Sequence, residues 1–226
     1  IKALLILISG TIISALTVIF MPLNIKGYVS HIGSNTLAKA MLIIAGVKLK
    51  IEGSEHINGK EKYIFVSNHL SYFDIPVITS AIPNNIRFIY KKSISYVPFF
   101  GWAVYFGGYV AVDRSNARSG FEAIKKAASI IKNKGLSFII FPEGTRSPDG
   151  NIGNFKRGAF LLAEEAKVKI VPVTIIGSDK ILPKKSYTIK SGEVKIIFEK
   201  PIDYRDDKNF LNDIRDLITK NYEKYK

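Results

Sequence analysis

From Ala3 to Leu23 the chain carries no charged residue, and its only polar side chains there are Ser9, Thr11, Ser14 and Thr17. A run of this length predicts a helix about long enough to cross a bilayer. Small hydroxyl residues of this kind suit one helix packing on another in lipid. Residues 27–46 are less apolar and include His31, Asn35 and Lys39, so they predict an amphipathic helix. Together the two segments form either a span with a companion helix or a hairpin that enters one leaflet. A secretory signal peptide fits poorly, because no A-x-A-like cleavage site follows promptly. A buried core helix stays open as the alternative.

Beyond residue 46 the pattern changes to short apolar runs separated by helical stripes. Val47-Lys48-Leu49-Lys50-Ile51-Glu52 alternates with period 2, as a half-exposed strand does. Residues 63–66, 138–141 and 170–176 are continuously apolar, which suits strands covered on both faces. Residues 87–90, 109–112 and 194–198 add three more. Phe121, Ile124, Ala128 and Ile131 share one helical face while Lys125, Lys126 and Lys132 take another, and Gly135 ends the helix. Leu211, Ile214, Leu217, Ile218 and Tyr222 form a second stripe. The prediction is an α/β fold: a mostly parallel or mixed central sheet of about seven strands with helices on its faces, preceded by the membrane-associated helix or hairpin. Residues 1–46 form the N-terminal segment and 47–226 the α/β domain, with no linker or repeat between them.

Composition narrows the chemistry. The 226 residues hold 33 Lys+Arg against 19 Asp+Glu, a formal charge of +14, which implies an acidic partner. The absence of cysteine excludes disulfides, iron–sulfur sites, Cys-ligated zinc and a cysteine nucleophile. Three histidines with no i,i+3 or i,i+4 pair give no His-rich metal site. The aromatics are not interleaved with Lys and Arg as stacking platforms, so nucleic acid is not the expected partner. Lys26, Lys39, Lys48 and Lys50 follow the apolar segment, which places what comes after it on the cytoplasmic side of an inner membrane.

Two loops after buried strands carry unusual content. The first reads Ser67-Asn68-His69-Leu70-Ser71-Tyr72-Phe73-Asp74-Ile75-Pro76. If a turn brings Asp74 to His69, the carboxylate holds Nδ1–H and leaves Nε2 to take a proton. Asp74 is equally placed to be an ordinary helix N-cap ahead of Pro76. The second loop reads Pro142-Glu143-Gly144-Thr145-Arg146-Ser147-Pro148. Glycine lets backbone amides approach an anion, and arginine grips phosphate oxygens bidentately. Glu143 either orients that arginine or repels the ligand, and a plain turn with a surface Arg–Glu pair is the competing account.

Taken in order, these blocks resemble the glycerolipid acyltransferase family, and within it the bacterial 1-acylglycerol-3-phosphate (lysophosphatidate) acyltransferases. Asn68-His69-x-x-x-x-Asp74 is similar to the family's catalytic His-x4-Asp block, and Phe141 to Ser147 to its phosphate-binding block. Gly108 to Arg114 is similar to the block whose arginine also serves the acceptor phosphate, and Val171 to Ile175 to a Pro-containing strand near the acyl pocket. Lys91-Lys92-Ser93 with Pro98 and Gly101 resembles a further stretch, except that Ser93 stands where glutamate is usual. The likeness covers about residues 60–180.

The resemblance implies transfer of an acyl chain from acyl-ACP or acyl-CoA to the sn-2 hydroxyl of a lysophospholipid in a bilayer, forming phosphatidic acid. No metal or further cofactor is needed. His69 and Asp74 are then the catalytic dyad, and Arg114, Glu143, Gly144, Thr145 and Arg146 hold the acceptor phosphate. Lys91 is a candidate oxyanion or donor contact, and Lys156 and Arg157 add positive field. A free histidine titrates near ~6.5, which suits a base working at neutral pH. Without cysteine or a G-x-S-x-G elbow, direct transfer is simpler than an acyl-enzyme. Acylation of glycerol-3-phosphate or another lysolipid, and a non-enzymatic binder of anionic lipid, are the alternatives. Tyr96, Phe99, Phe100, Trp102, Tyr105 and Phe106 either dock at the membrane interface, line an acyl tunnel or belong to the core.

Overall fold

The structure, a computed structural model, describes residues 1–147, 150–183, 186–207 and 209–226. Two helices, α1 (Lys2–Ile19) and α2 (Tyr28–Ala45), form an antiparallel hairpin joined by two short 3₁₀ turns. The small residues expected to face a neighbouring helix do so: Ser14 and Thr17 are buried, and Thr17 sits against Gly33 of α2. The outer side of α1 is otherwise exposed from Leu4 to Ile19, and the helix is long and apolar enough to cross a membrane. Lys2 Nζ donates to the Ala45 carbonyl and to Ser191 Oγ, both at 2.7 Å, and so ties the hairpin's open end to the body.

Seven strands follow: β1 (Val47–Glu52), β2 (Tyr63–Ser67), β3 (Ile86–Lys91), β4 (Val110–Val112), β5 (Ser137–Ile140), β6 (Lys169–Ile176) and β7 (Gly192–Phe198). Their order across the sheet is β1-β7-β6-β2-β5-β3-β4, parallel throughout except between β6 and β7. The helices are α3 (Asp74–Ala81), α4 (Phe100–Phe106), α5 (Ala117–Lys134), α6 (Gly158–Ala166), α7 (Ser178–Ile181) and α8 (Phe210–Tyr225). Alternation along the strands divides the core in two. Ile64, Val66 and Phe138 face the layer of α5, α6 and α8, while Tyr63, Phe65 and Ile139 face the layer of α2 and α3. All seven strands foreseen from the pattern are present, and burial on both faces explains their near-continuous apolar runs.

Differences from the pattern are local. Phe121 is not on the buried face of α5; it is half-exposed, with Lys125 Nζ 4.6 Å from its ring centroid. Ala123, Ile124, Ala127 and Ile131 fill the core instead. The fourth strand begins at Val110, because Gly108 takes a left-handed φ of +83° and Tyr109 packs on Phe88. The aromatic residues from Tyr96 to Phe106 are exposed and do not form core. Arg87 is fully buried on β3 with its charge spread over backbone carbonyls. Nε donates to Gly107 at 2.7 Å, Nη1 to Ile86 at 2.7 Å and Nη2 to Gly27 at 3.1 Å. One side chain thereby ties the sheet to the hairpin turn and to the end of α4.

Candidate active site

Because β2, β5, β3 and β4 run parallel, the loops leaving their C-terminal ends collect on one edge of the sheet. His69 follows β2, residues 141–147 follow β5, Lys91 ends β3 and Arg114 follows β4. Asn68 fixes the first loop: its Nδ2 donates to the Ile175 carbonyl and its Oδ1 accepts from the Ile175 amide, both at 2.8 Å. Ser71 Oγ adds a bond of 2.9 Å to the Leu182 carbonyl.

The chain then turns sharply enough to bring Asp74 back to His69. Asp74 is fully buried, and its Oδ2 accepts from His69 Nδ1 at 2.7 Å, from the Leu70 amide at 2.7 Å and from the Ser71 amide at 2.8 Å. A carboxylate has no proton to give, so Nδ1 is the donor and Nε2 carries the open lone pair. The imidazole stacks on Phe141, with centroids 4.2 Å apart, and remains 17% exposed. It is thus held from below and open to one side. The N-cap alternative for Asp74 does not describe this site, since the carboxylate bonds the preceding loop and α3 starts at Asp74 itself.

The β5 loop meets the β2 loop directly. The Ser147 amide donates to the His69 carbonyl at 2.9 Å, so Arg146 sits beside the imidazole's backbone. Its guanidinium lies 3.4 Å from the centroid of the exposed Tyr72 ring. Gly144 has φ +72°, a turn conformation that L side chains resist, and a Cβ there would lie 3.2 Å from Lys156 Nζ. Arg114 Nη1 donates to the Gly144 carbonyl at 3.0 Å. Arg114 and Lys156 therefore flank the loop that carries Arg146 next to His69, with Thr145 exposed at its tip. Cationic side chains and a glycine turn are the features from which anion sites are built. Arg157 is the N-cap residue of α6, and its charge reaches Tyr204. Pro148 and Asp149, the middle of the turn that follows Ser147, lie outside the described residues.

The structure gives Glu143 a bracing role between neighbouring loops. Its buried carboxylate accepts from the His69 amide at 2.8 Å and from the Gly153 amide at 3.0 Å, stapling three loop segments together. Lys91 is separated from β2 by the width of two strand spacings, about 10 Å. It lies nearer to Asp113, whose carboxyl is lowered chiefly by its Ser115 hydrogen bonds and further by Lys92 and Lys91. Lys91 thus stands at the end of β3, on the Asp113 side of the site. Sequence reasoning assigned no role to Asn68, Tyr72 or Phe141. Their neighbourhood to His69 and Arg146 was visible, but their contacts depend on how two distant loops meet.

Burial raises the pKa of the Glu143 carboxyl above the ordinary range, while hydrogen bonds from the Gly153 and His69 amides lower it. An elevated folded-state pKa means that the unfolded chain ionises first as pH rises, so this residue's contribution to stability is fully present in acid and is lost through the folded pKa. The Tm of Glu143→Gln, relative to the parent chain, is expected to improve from about pH 4 to about pH 7. Thermal melts at both pH values check this, and a constant difference would show that Glu143 titrates normally.

A family model described as Acyltransferase matches residues 48–176, a span that includes every residue of this site from His69 to Arg146. The chain belongs to the acyltransferase family. Among curated relatives, a chloroplastic 1-acyl-sn-glycerol-3-phosphate acyltransferase of Arabidopsis thaliana is 40% identical over 157 residues, 69% of this chain and 44% of that protein. A 1-acyl-sn-glycerol-3-phosphate acyltransferase of Saccharomyces cerevisiae is 32% identical over 164 residues, 72% of this chain and 54% of its own length. The chain thus spans about half the length of the curated relatives it matches. The crystal structure of the 1-acyl-sn-glycerophosphate acyltransferase PlsC from Thermotoga maritima aligns with a TM-score of 0.85 at 25% identity, covering 99% of this chain and 94% of that one. The acyltransferase fold therefore extends over the N-terminal hairpin as well as the sheet.

Proposed function

We propose that this acyltransferase moves an acyl chain from a thioester, carried by coenzyme A or an acyl carrier protein, to the sn-2 hydroxyl of 1-acylglycerol-3-phosphate, forming phosphatidic acid. The observation that carries the reading is one mouth holding a carboxylate-braced imidazole beside Arg114, Arg146 and Lys156. Its relatives in Arabidopsis thaliana and Saccharomyces cerevisiae are 1-acyl-sn-glycerol-3-phosphate acyltransferases, which supports the same acceptor.

An alcohol attacks a thioester slowly until a base takes its proton, and His69 Nε2 is the open nitrogen of the dyad. The acceptor oxygen bonds to the carbonyl carbon as its proton passes to Nε2. Asp74 stabilises the imidazolium that forms. Collapse then breaks the carbon–sulfur bond, and the thiolate leaves with the proton that His69 returns. The cations fix the phosphate so that the hydroxyl meets the imidazole, which converts encounter into orientation. The apolar outer face of α1 supports residence in the membrane where acceptor and product dissolve, and lysines behind it support a cytoplasmic-facing catalytic domain.

Purified protein given labelled acyl-CoA or acyl carrier protein is expected to acylate 1-acylglycerol-3-phosphate, with glycerol-3-phosphate and lysophosphatidylcholine as competing acceptors resolved by mass spectrometry. In the same assay, Arg146→Ala is expected to raise KM for the phosphorylated acceptor by about 10- to 100-fold with kcat largely kept, the scale of one charge-assisted contact. Product only from the phosphodiester acceptor would overturn the substrate assignment, and an unchanged KM would remove Arg146 from the phosphate site.

A further inference from the structure

Outside the catalytic mouth, the segment between β3 and β4 carries a cluster of exposed aromatic side chains. There a 3₁₀ turn, Lys92–Tyr96, doubles back onto α4. The reversal requires Gly101, where a Cβ would collide with the Ile94 carbonyl, and it holds Phe99 at φ +59°, ψ −59°. Such a conformation costs a bulky residue on the order of 1–3 kcal/mol, so the surrounding fold imposes it. The outcome is a plate of aromatic side chains facing outward: Tyr96 is 74% exposed, Trp102 44%, Tyr105 62% and Phe106 58%. A soluble surface gains nothing from such a patch.

Three observations say what covers it. First, α4 packs against α1, so the plate continues the apolar outer face of the hairpin. Second, its composition is Trp and Tyr with Lys91 and Lys92 exposed at the edge, the mixture that settles at the headgroup level of a bilayer. Third, Arg87 bonds both the hairpin turn at Gly27 and the end of α4 at Gly107, which locks the two surfaces to the sheet as one unit.

We propose that the plate formed by Tyr96, Trp102, Tyr105 and Phe106 is a second membrane contact that lies in the interfacial layer of an anionic bilayer alongside α1. It rests on the membrane reading given above and adds an orientation to it. A lone helix anchors a protein but leaves it free to rotate about the helix axis. Two contacts fixed to one sheet define a plane, and Lys91, near Asp113, then brings that side of the mouth close to the headgroups. The acceptor reaches His69 by lateral movement in the leaflet instead of leaving it.

Trp102 is the sole tryptophan in the chain, so its fluorescence reports the plate alone. The full chain is mixed with phosphatidylcholine–phosphatidylglycerol vesicles, some containing lipids brominated near the carbonyl end of the acyl chains, and co-sedimentation is measured on the same samples. The expected result is a vesicle-bound chain whose Trp102 emission is blue-shifted and quenched by the brominated lipid. A bound chain with unquenched, water-like emission would overturn the proposal while leaving the anchor intact. A chain that does not sediment would overturn both. Quenching also arises if Trp102 lines an acyl-chain site, so a second variant separates the cases. Trp102→Ala with Tyr105→Ala is expected to lower turnover of vesicle-embedded acceptor roughly tenfold while sparing detergent-dispersed acceptor, since interfacial binding follows the apolar area inserted. Equal loss on both forms would assign the plate to the substrate site and refute a bilayer contact.

Discussion

His69→Ala is expected to lower kcat by about 10²–10⁴ while the protein stays folded, the range over which a positioned general base accelerates proton transfer. The imidazole is partly exposed and makes one side-chain hydrogen bond, to Asp74, so its removal leaves little of the core disturbed. The Asn68 and Glu143 bonds that hold the loop run to backbone and are kept. Steady-state rates with a thioester and 1-acylglycerol-3-phosphate, beside a thermal melt, make the measurement. A variant that turns over like the parent chain would falsify the assignment of the base. Loss of activity together with loss of the melt would report a folding role instead.

Asp74→Asn is the second large effect, and the amide is the right substitution because alanine would strand two buried amide donors. Each orphaned donor costs about 1–3 kcal/mol. Asparagine's oxygen still accepts from Leu70 and Ser71, so the loop is expected to hold its shape. What disappears is the negative charge facing Nδ1, and with it the stabilisation of the imidazolium formed as the proton moves. A drop in kcat of about 10²-fold or more is expected, with only a small fall in Tm. The double variant with His69→Ala should be hardly slower than His69→Ala alone, because the carboxylate acts only through the imidazole. Additive losses in that cycle would give Asp74 a task of its own.

Much of this molecule was legible along the chain, for physical reasons. Ile64 and Val66 are buried on one face of β2 and Phe65 on the other, so the run before Ser67 is apolar throughout and stood out against the alternating β1. The loop alone left the His69–Asp74 contact open against an N-cap role for Asp74; the resemblance favoured the contact, and the strand-to-helix junction supplies the turn that a five-residue spacing needs. Glu143 was not legible. Its partners, the His69 and Gly153 amides, come from two other segments, and a carboxylate beside an arginine in sequence suggests an ion pair that the loop geometry redirects. Phe121 was misplaced because helical periodicity marks an apolar stripe without saying where its edge meets solvent, and Lys125 covers the ring instead. Nor could the sequence decide among core, tunnel and interface for Trp102 and its neighbours, since that depends on the reversal at Gly101.

One imidazole and one cationic cluster must serve a single acceptor molecule for this chemistry to run. A structure of the chain with bound 1-acylglycerol-3-phosphate tests it most directly. The prediction is a phosphate held among Arg114, Arg146 and Lys156 with the sn-2 hydroxyl about 3 Å from His69 Nε2. A phosphate seated elsewhere, or a hydroxyl turned away from the imidazole while the phosphate is held, would contradict it.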